Sequence, residues 1–246
     1  MDMNDNRCDS TLVVGADSDI GAALVDRLSG DIIAHYFAAI DNLSAPNTDK
    51  RKLFPVFGDL SSIEGIETFL GEVKRLGKII SRIVHLPSPP PTPMRLSKFD
   101  PERFQRELNI QVLSAAMIFR DFLPPMAKSG FGRVAVVLTS YCIGAPPKFL
   151  SSYVSAKYAL LGLMKAASVE YADKGVTINA VAPSMTETKF LSALPDFEIE
   201  ASAKVNPMGR NARPDDIAPI LELLLDPNTS FMTGAIIPIT GGSALL

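Results

Sequence analysis

Tyr153 and Lys157 stand four residues apart in Ser-Ser-Tyr-Val-Ser-Ala-Lys, an interval that puts a phenol and an ammonium on one face of a helix. A free tyrosine has a pKa of about 10, so it exchanges protons poorly at neutral pH until a nearby positive charge stabilises the phenolate. Lysine supplies such a charge. Ser140 follows residues 134–138 (VAVVL), an apolar run that reads as a buried strand. Its hydroxyl therefore belongs at the C-terminal end of a strand, where ligands collect in open α/β sheets. Taken alone, a Tyr-x-x-x-Lys pair is more often an ordinary exposed helix pair, so the segments around it must decide.

Residues 11–14 (TLVV) lead into GADSDIG and then AALVDRL, which reads as strand, glycine turn and helix. Between Gly15 and Gly21, with Ser18, Asp19 and Ile20 inside it, such a turn brings backbone N–H groups and a positive helix end close to a phosphate. Two glycines six apart are equally a plain tight turn. Asp19 is placed to cap the helix. The next run, residues 31–37 (DIIAHYF), falls where a second parallel strand should be. Its end is where a dinucleotide enzyme reads the adenosine ribose: an acid there favours NAD, an arginine NADP. His35, Tyr36, Phe37 and Ala38 give neither signal, and Asp41 comes several residues late.

Residues 53–60 (LFPVFGDL) form a third strand ending at Asp59 and Leu60, and residues 79–86 a fourth ending at His85 and Leu86. The PSPPPTP that follows cannot continue a sheet, so it is a stiff loop, either a spacer or a wall of the site. A long helix is expected from Pro101 past Gln111 until Pro124 and Pro125 stop it. A second carries Tyr153 and closes at Gly175; residues 176–183 (VTINAVAP) are a sixth strand ending at Pro183. Residues 184–210, with Thr186 and Thr188 near their start, have the mixed character of a segment that closes over a substrate. Phe190, Leu191, Leu194 and Phe197, with Ile143 and Phe149, would either line an apolar pocket for an acyl chain or flat ring or pack that segment on the body. A helix over 214–225 and a strand within 234–242 complete an alternation that predicts an α/β fold. Its form is a single doubly wound parallel sheet, Rossmann-like, with helices on both faces. Residues 1–10 read as a polar tail and 11–246 as one domain.

The 246 residues carry a net charge of −3 with Lys and Arg scattered, which argues against nucleic acid as a partner. The polar, acidic start and the lack of any run near 20 apolar residues predict a cytoplasmic protein with no membrane partner. Cys8, Cys142, His35 and His85 are too few for a disulfide framework or a His-based metal site.

In their order and spacing, GADSDIG, Asp59, Ser140, Tyr153-x-x-x-Lys157, NAVAPSMTET, PMGR, RPDDIA and MTG resemble the short-chain dehydrogenase/reductase family, from about Thr11 to Gly242. The resemblance implies that Tyr153 moves a proton to or from the substrate oxygen. Lys157 would lower its pKa and bind the nicotinamide ribose, and Ser140 would orient the oxygen. Ser140 lies thirteen residues before Tyr153, the family's usual interval, which selects it over Thr139. Thr188 matches a threonine that contacts the nicotinamide amide, Asp59 an aspartate that bonds adenine, and Gln111 the family's catalytic asparagine. Gly15, Ser18 to Gly21, His35, Tyr36, Leu60, His85, Leu86, Pro183 and Thr186 would complete the cofactor site.

The chain also departs from the family pattern. Asp19 replaces a glycine of TGxxxGxG, Val14 its threonine, His85-Leu86-Pro87-Ser88 the usual Asn-Asn-Ala-Gly, and Ser184 the glycine after Pro183. The expected function is NAD(P)(H)-dependent interconversion of a carbonyl and a secondary alcohol, with NADP(H) preferred to NAD(H) because no acid closely follows the second strand. Similarity to β-ketoacyl-carrier-protein reductases extends the substrate range to a carrier-bound 3-oxoacyl thioester, for which Lys174 and Lys128 are the candidate basic positions. The family also implies a homotetramer or homodimer. The alternative is a catalytically degenerate member serving as a scaffold or regulatory subunit, which the His85–Ser88 replacement and Gln111 would favour.

Overall fold

The computed structural model describes residues 9–37, 48–191 and 194–244, without the side chain of Phe190. Cys8, Ala38 and Asp41 therefore lie outside the described residues. Seven strands form one parallel sheet: β1 (Asp9–Val14), β2 (Gly30–Tyr36), β3 (Arg51–Phe57), β4 (Ile79–His85), β5 (Gly132–Val137), β6 (Val176–Pro183) and β7 (Ile236–Ile239). They lie in the order β3-β2-β1-β4-β5-β6-β7. The chain winds outward from β1 in one direction and then returns to β1's other side, which opens a crevice at the C-terminal ends of β1 and β4.

The strands are almost wholly apolar because both faces of the sheet are covered. On one face Leu12, Ile33, Ile83 and Val134 pack with α2 (Ile63–Arg75), α4 (Ser114–Ser129) and α5 (Ser151–Tyr171) through Phe69, Ile118 and Leu160. On the other, Val13, Ile32, Val84 and Val181 pack with α1 (Asp19–Arg27) and α7 (Pro214–Leu225) through Leu24, Ile217 and Leu221. Pro55 is tolerated because β3 is an edge strand and needs no donor on its outer side. β1 begins at Asp9, so Asp9 and Ser10, read from the sequence as tail, already pair with β2 and β4.

The helix expected to end at Pro124 does not. It runs from α3 (Pro101–Leu108) through a π-helical turn (Asn109–Leu113) into α4, which contains Pro124 and Pro125 and closes at Gly130 in the left-handed conformation, φ 72°. An interior proline costs about 3 kcal/mol. Here both prolines face solvent, while Phe122, Leu123 and Met126 are buried on the inner side. Burying three such side chains, at about 1.5–3 kcal/mol each, offsets the lost backbone bonds.

Candidate active site

A cavity of about 760 Å³ follows the C-terminal edge of the sheet, from Gly15 and His35 past Leu86 and Thr139 to Tyr153, Lys157 and the segment after β6. At one end the glycine turn is held by two side chains. Gly15, at φ 86°, donates its N–H to His35 Nδ1 at 3.2 Å. His35 Nε2 lies 2.9 Å from the Gly58 carbonyl, an acceptor only, so the ring proton sits on Nε2 and Nδ1 is free to accept. Burial keeps this histidine below the usual imidazole pKa, so it is neutral at pH 7 and ties together the ends of β1, β2 and β3. Ser18 donates to the Gly15 carbonyl at 2.7 Å and accepts from Gly21 N at 3.0 Å, so Ser18 caps α1.

Asp19, expected to be the cap, instead accepts the backbone N–H of Lys189 at 2.6 Å and so binds the segment after β6 to α1. A Cβ on Gly21 would overlap the Gly15 carbonyl, so the turn closes this tightly only with glycine there. Ser18, Asp19 and Ile20 face the cavity at the helix N-terminus. A narrow turn with a free helix end, opening into a long groove, fits the diphosphate of a dinucleotide.

At the other end, Tyr153 and Lys157 project from α5, both buried. Lys157 Nζ donates to the Val137 carbonyl at 2.9 Å and lies 5.8 Å from the centroid of the Tyr153 ring. Burial brings this ammonium down to about 8. Burial also pushes the Tyr153 phenol well above its usual value, and a hydrogen bond with the Thr139 side chain offsets only part of that. In this arrangement desolvation is the largest influence on the phenol, and Tyr153 is neutral at pH 7.

Behind the cavity His85 and Gln111 are fully buried. Ser114 Oγ donates to the Ile110 carbonyl at 2.6 Å, which leaves its oxygen to accept from His85 Nε2 at 2.8 Å. Burial, with Lys157 adding to it, lowers His85 to about 3. Among the described residues, its Nδ1 and both amide atoms of Gln111 have no hydrogen-bond partner. Gln111 sits in the π turn, a distortion that frequently marks functional helices.

Residues 22–244 match the family model described as Enoyl-(Acyl carrier protein) reductase. The chain belongs to the short-chain dehydrogenase/reductase family. A cis-4-hydroxycyclohexanecarboxylate dehydrogenase of Sinomonas cyclohexanicum is 33% identical over 60% of this chain and 59% of its own length, so the chain spans less than two thirds of that relative. An uncharacterized oxidoreductase, YmfI, of Bacillus subtilis (strain 168) is 29% identical over 95% of this chain and 98% of its own. Among solved structures, a 3-oxoacyl (acyl-carrier-protein) reductase from Agrobacterium tumefaciens C58 with NADP bound superimposes with a TM-score of 0.84 at 23% identity, covering 96% of this chain and 94% of that one. That likeness establishes the fold.

Leu60, Leu86, Pro183, Thr186 and Thr188 also line the cavity. Gly21, Tyr36, Asp59, His85, Gln111 and Ser140 do not. Tyr36 is turned into the core beside Phe57, so Phe37 takes the cavity position at the end of β2. Asp59 accepts from the N–H and hydroxyl of Ser61 at 2.8 and 2.9 Å.

Ser140, selected by spacing, is buried and is not among the residues that line the cavity. Thr139 is still extended, at φ −151° and ψ 151°, and keeps its side chain at the phenol, whereas a 3-10 turn over Ser140–Cys142 carries Ser140 out of the lining. Thr139, Ser114 and Asp17 are the site residues the sequence did not single out; only the extension of β5 by alternation could have pointed to Thr139. Where the family usually has a pair of asparagines, the His85–Ser114 bond braces β4 against α4.

The proline tract is a wall: Pro87, Pro89, Pro90, Pro91 and Pro93 face the cavity. Leu191 and Leu194 line it too, while Phe197 points to solvent, Ile143 packs on the core, and Phe149 faces a smaller neighbouring pocket. Lys128 and Lys174 precede β5 and β6, at the opposite edge of the sheet from the cavity. Among the described residues no cluster of three His, Cys, Asp or Glu could hold a metal, and no helix is long and apolar enough to cross a membrane.

Proposed function

We propose that this chain is an NAD(P)(H)-dependent oxidoreductase that interconverts a carbonyl and a secondary alcohol. The observation that carries the reading is a neutral, buried phenol at one end of a dinucleotide-sized groove, with Thr139 lining the cavity beside it and Lys157 one helical turn away. The nicotinamide, when bound, supplies or accepts the hydride. The protein's task is then the proton. In reduction Tyr153 donates it to the carbonyl oxygen, and the Thr139 hydroxyl donates a hydrogen bond to the phenolate left behind. Lys157, whose Nζ is 5.8 Å from the Tyr153 ring centroid, carries a positive charge only below its pKa of about 8. The backbone of Gly15 to Ile20 would hold the diphosphate, Leu60 would border the adenine, and Thr186 and Thr188 would hold the carboxamide.

Pro87 to Pro93 and Leu191 and Leu194 give the substrate end apolar walls, which suits a ketone with a ring or alkyl substituent. A 3-oxoacyl thioester fits the same walls, although Lys128 and Lys174 lie too far from the mouth to meet its carrier in the same subunit. Exposed Tyr158 and Val169 on α5 support a homodimer or homotetramer. Among the described residues no structural feature favours a scaffold role. Calorimetry with NADH and NADPH, followed by reduction assays on cyclohexanone-type ketones and a 3-oxoacyl thioester, tests the reading. Binding and turnover are expected, and the absence of both would end it.

A further inference from the structure

The preference between the two dinucleotides turns on charge at the end of β2, where the sequence offers no acid. The fold supplies one from another segment. Phe37, the residue after β2, donates its N–H to Asp17 Oδ2 at 3.0 Å, across twenty residues of chain. Asp17 belongs to the glycine turn, and it lines the cavity beside Gly15, Ser18, His35 and Phe37. We propose that Asp17 makes this site selective for NAD(H) over NADP(H), taking the part of the acid that β2 lacks; the inference rests on the dinucleotide reading above.

One carboxylate oxygen is fixed by the Phe37 N–H, which leaves the other to accept the ribose 2′-hydroxyl. A 2′-phosphate at that place would bring two negative groups together, and Lys189, the cavity-lining cation at this turn, is already 3.8 Å from Asp19 Oδ1. The carboxylate is felt locally, since it acts on both His35 and Tyr36 at the end of β2.

The basic residues of β3 are out of reach. Lys50, Arg51 and Lys52 lie at the start of β3, paired with Gly30 and Asp31, whereas Phe57 pairs with Tyr36. Six residues of strand at about 3.3 Å each separate the two ends by roughly 20 Å. Arg51 is also engaged, with the Val25 carbonyl at 2.7 Å and Asp26 at 2.9 Å. Residues 38–49 contain neither lysine nor arginine. The cations that line the cavity, Lys148, Lys157 and Lys189, come from the loop after β5, from α5 and from the segment after β6. Within the turn the Ser18 hydroxyl is already bonded on both sides, to Gly15 and Gly21.

The test is calorimetric binding of NADH and NADPH, and of adenosine 5′-monophosphate and adenosine 2′,5′-bisphosphate, to the wild-type chain, Asp17→Asn and Asp17→Ser. Asn keeps an acceptor for the Phe37 N–H and removes the charge; Ser serves where Asn does not fold. Wild type is expected to bind the ligand without the 2′-phosphate at least about tenfold more tightly in each pair, and either variant to narrow that ratio by about tenfold. Equal or tighter binding of NADPH by wild type, or a ratio unmoved in the folded variants, overturns the assignment of Asp17 while leaving the oxidoreductase reading intact. Failure to bind any of the four ligands overturns both.

Discussion

The two ends of the cavity are built on opposite principles. At the Tyr153 end the polar groups are buried, and desolvation sets their protonation: the phenol is held neutral, Lys157 is brought to about 8 and His85 to about 3. At the Gly15 end the geometry is fixed by backbone hydrogen bonds, with Asp17 at Phe37 and Asp19 at Lys189 on the open side. Chemistry requires groups that can lose and regain a proton, and burial tunes them. Recognition of a ribose requires a charge that stays put, which a carboxylate anchored on main-chain N–H groups provides.

The largest effect expected from breaking the buried end is that of Tyr153→Phe. It removes the proton donor and keeps the ring, so turnover of a ketone should fall at least about 1000-fold while calorimetric affinity for the dinucleotide stays within about twofold. Undiminished turnover would show that the proton comes from elsewhere. The next largest effect separates two neighbours: Thr139→Ala should lower kcat by roughly 10-fold to 100-fold, while Ser140→Ala, out of the lining, should stay within about threefold of wild type. The reverse order would restore the thirteen-residue spacing as the better guide. Gln111→Ala is expected to cost turnover on the order of tenfold with the melting temperature little changed, measured by steady-state kinetics and calorimetric melting.

Two pH effects sharpen the same contrast. Lys157 loses its charge as pH rises through about 8, so the reductive rate should decline on the alkaline side with an apparent pKa near that value. A rate flat from pH 7 to 9.5 would remove Lys157 from the proton chemistry. His85 acts on stability. The unfolded chain takes up a proton below about 6.5, whereas the folded histidine refuses it until about pH 3, so stability falls as pH drops across that window. Between pH 7 and 4 the wild type should lose about 3 kcal/mol more than His85→Asn, read from urea unfolding at the two values.

Much of the fold could be read along the chain because its signals are local. A run such as residues 134–138 is apolar because a parallel strand is covered on both faces, and that requirement is written residue by residue. The Tyr153–Lys157 pair was equally legible, since a four-residue interval on a helix fixes proximity without knowledge of anything else. Pro124 and Pro125 misled because a proline's cost is local while the burial of Phe122, Leu123 and Met126 that offsets it is tertiary.

The sequence by itself determined the order of strands and helices, the glycine turn and the tyrosine and lysine of the buried end. Tertiary structure decided that Thr139 rather than Ser140 lines the cavity, that burial dominates the protonation of Tyr153, Lys157 and His85, and that an acid twenty residues upstream stands at the end of β2. The physical reason is that desolvation and the meeting of strand ends depend on what surrounds a group in space. A parallel sheet brings Asp17 and Phe37 together only once β1 and β2 are in register, Val14 against His35.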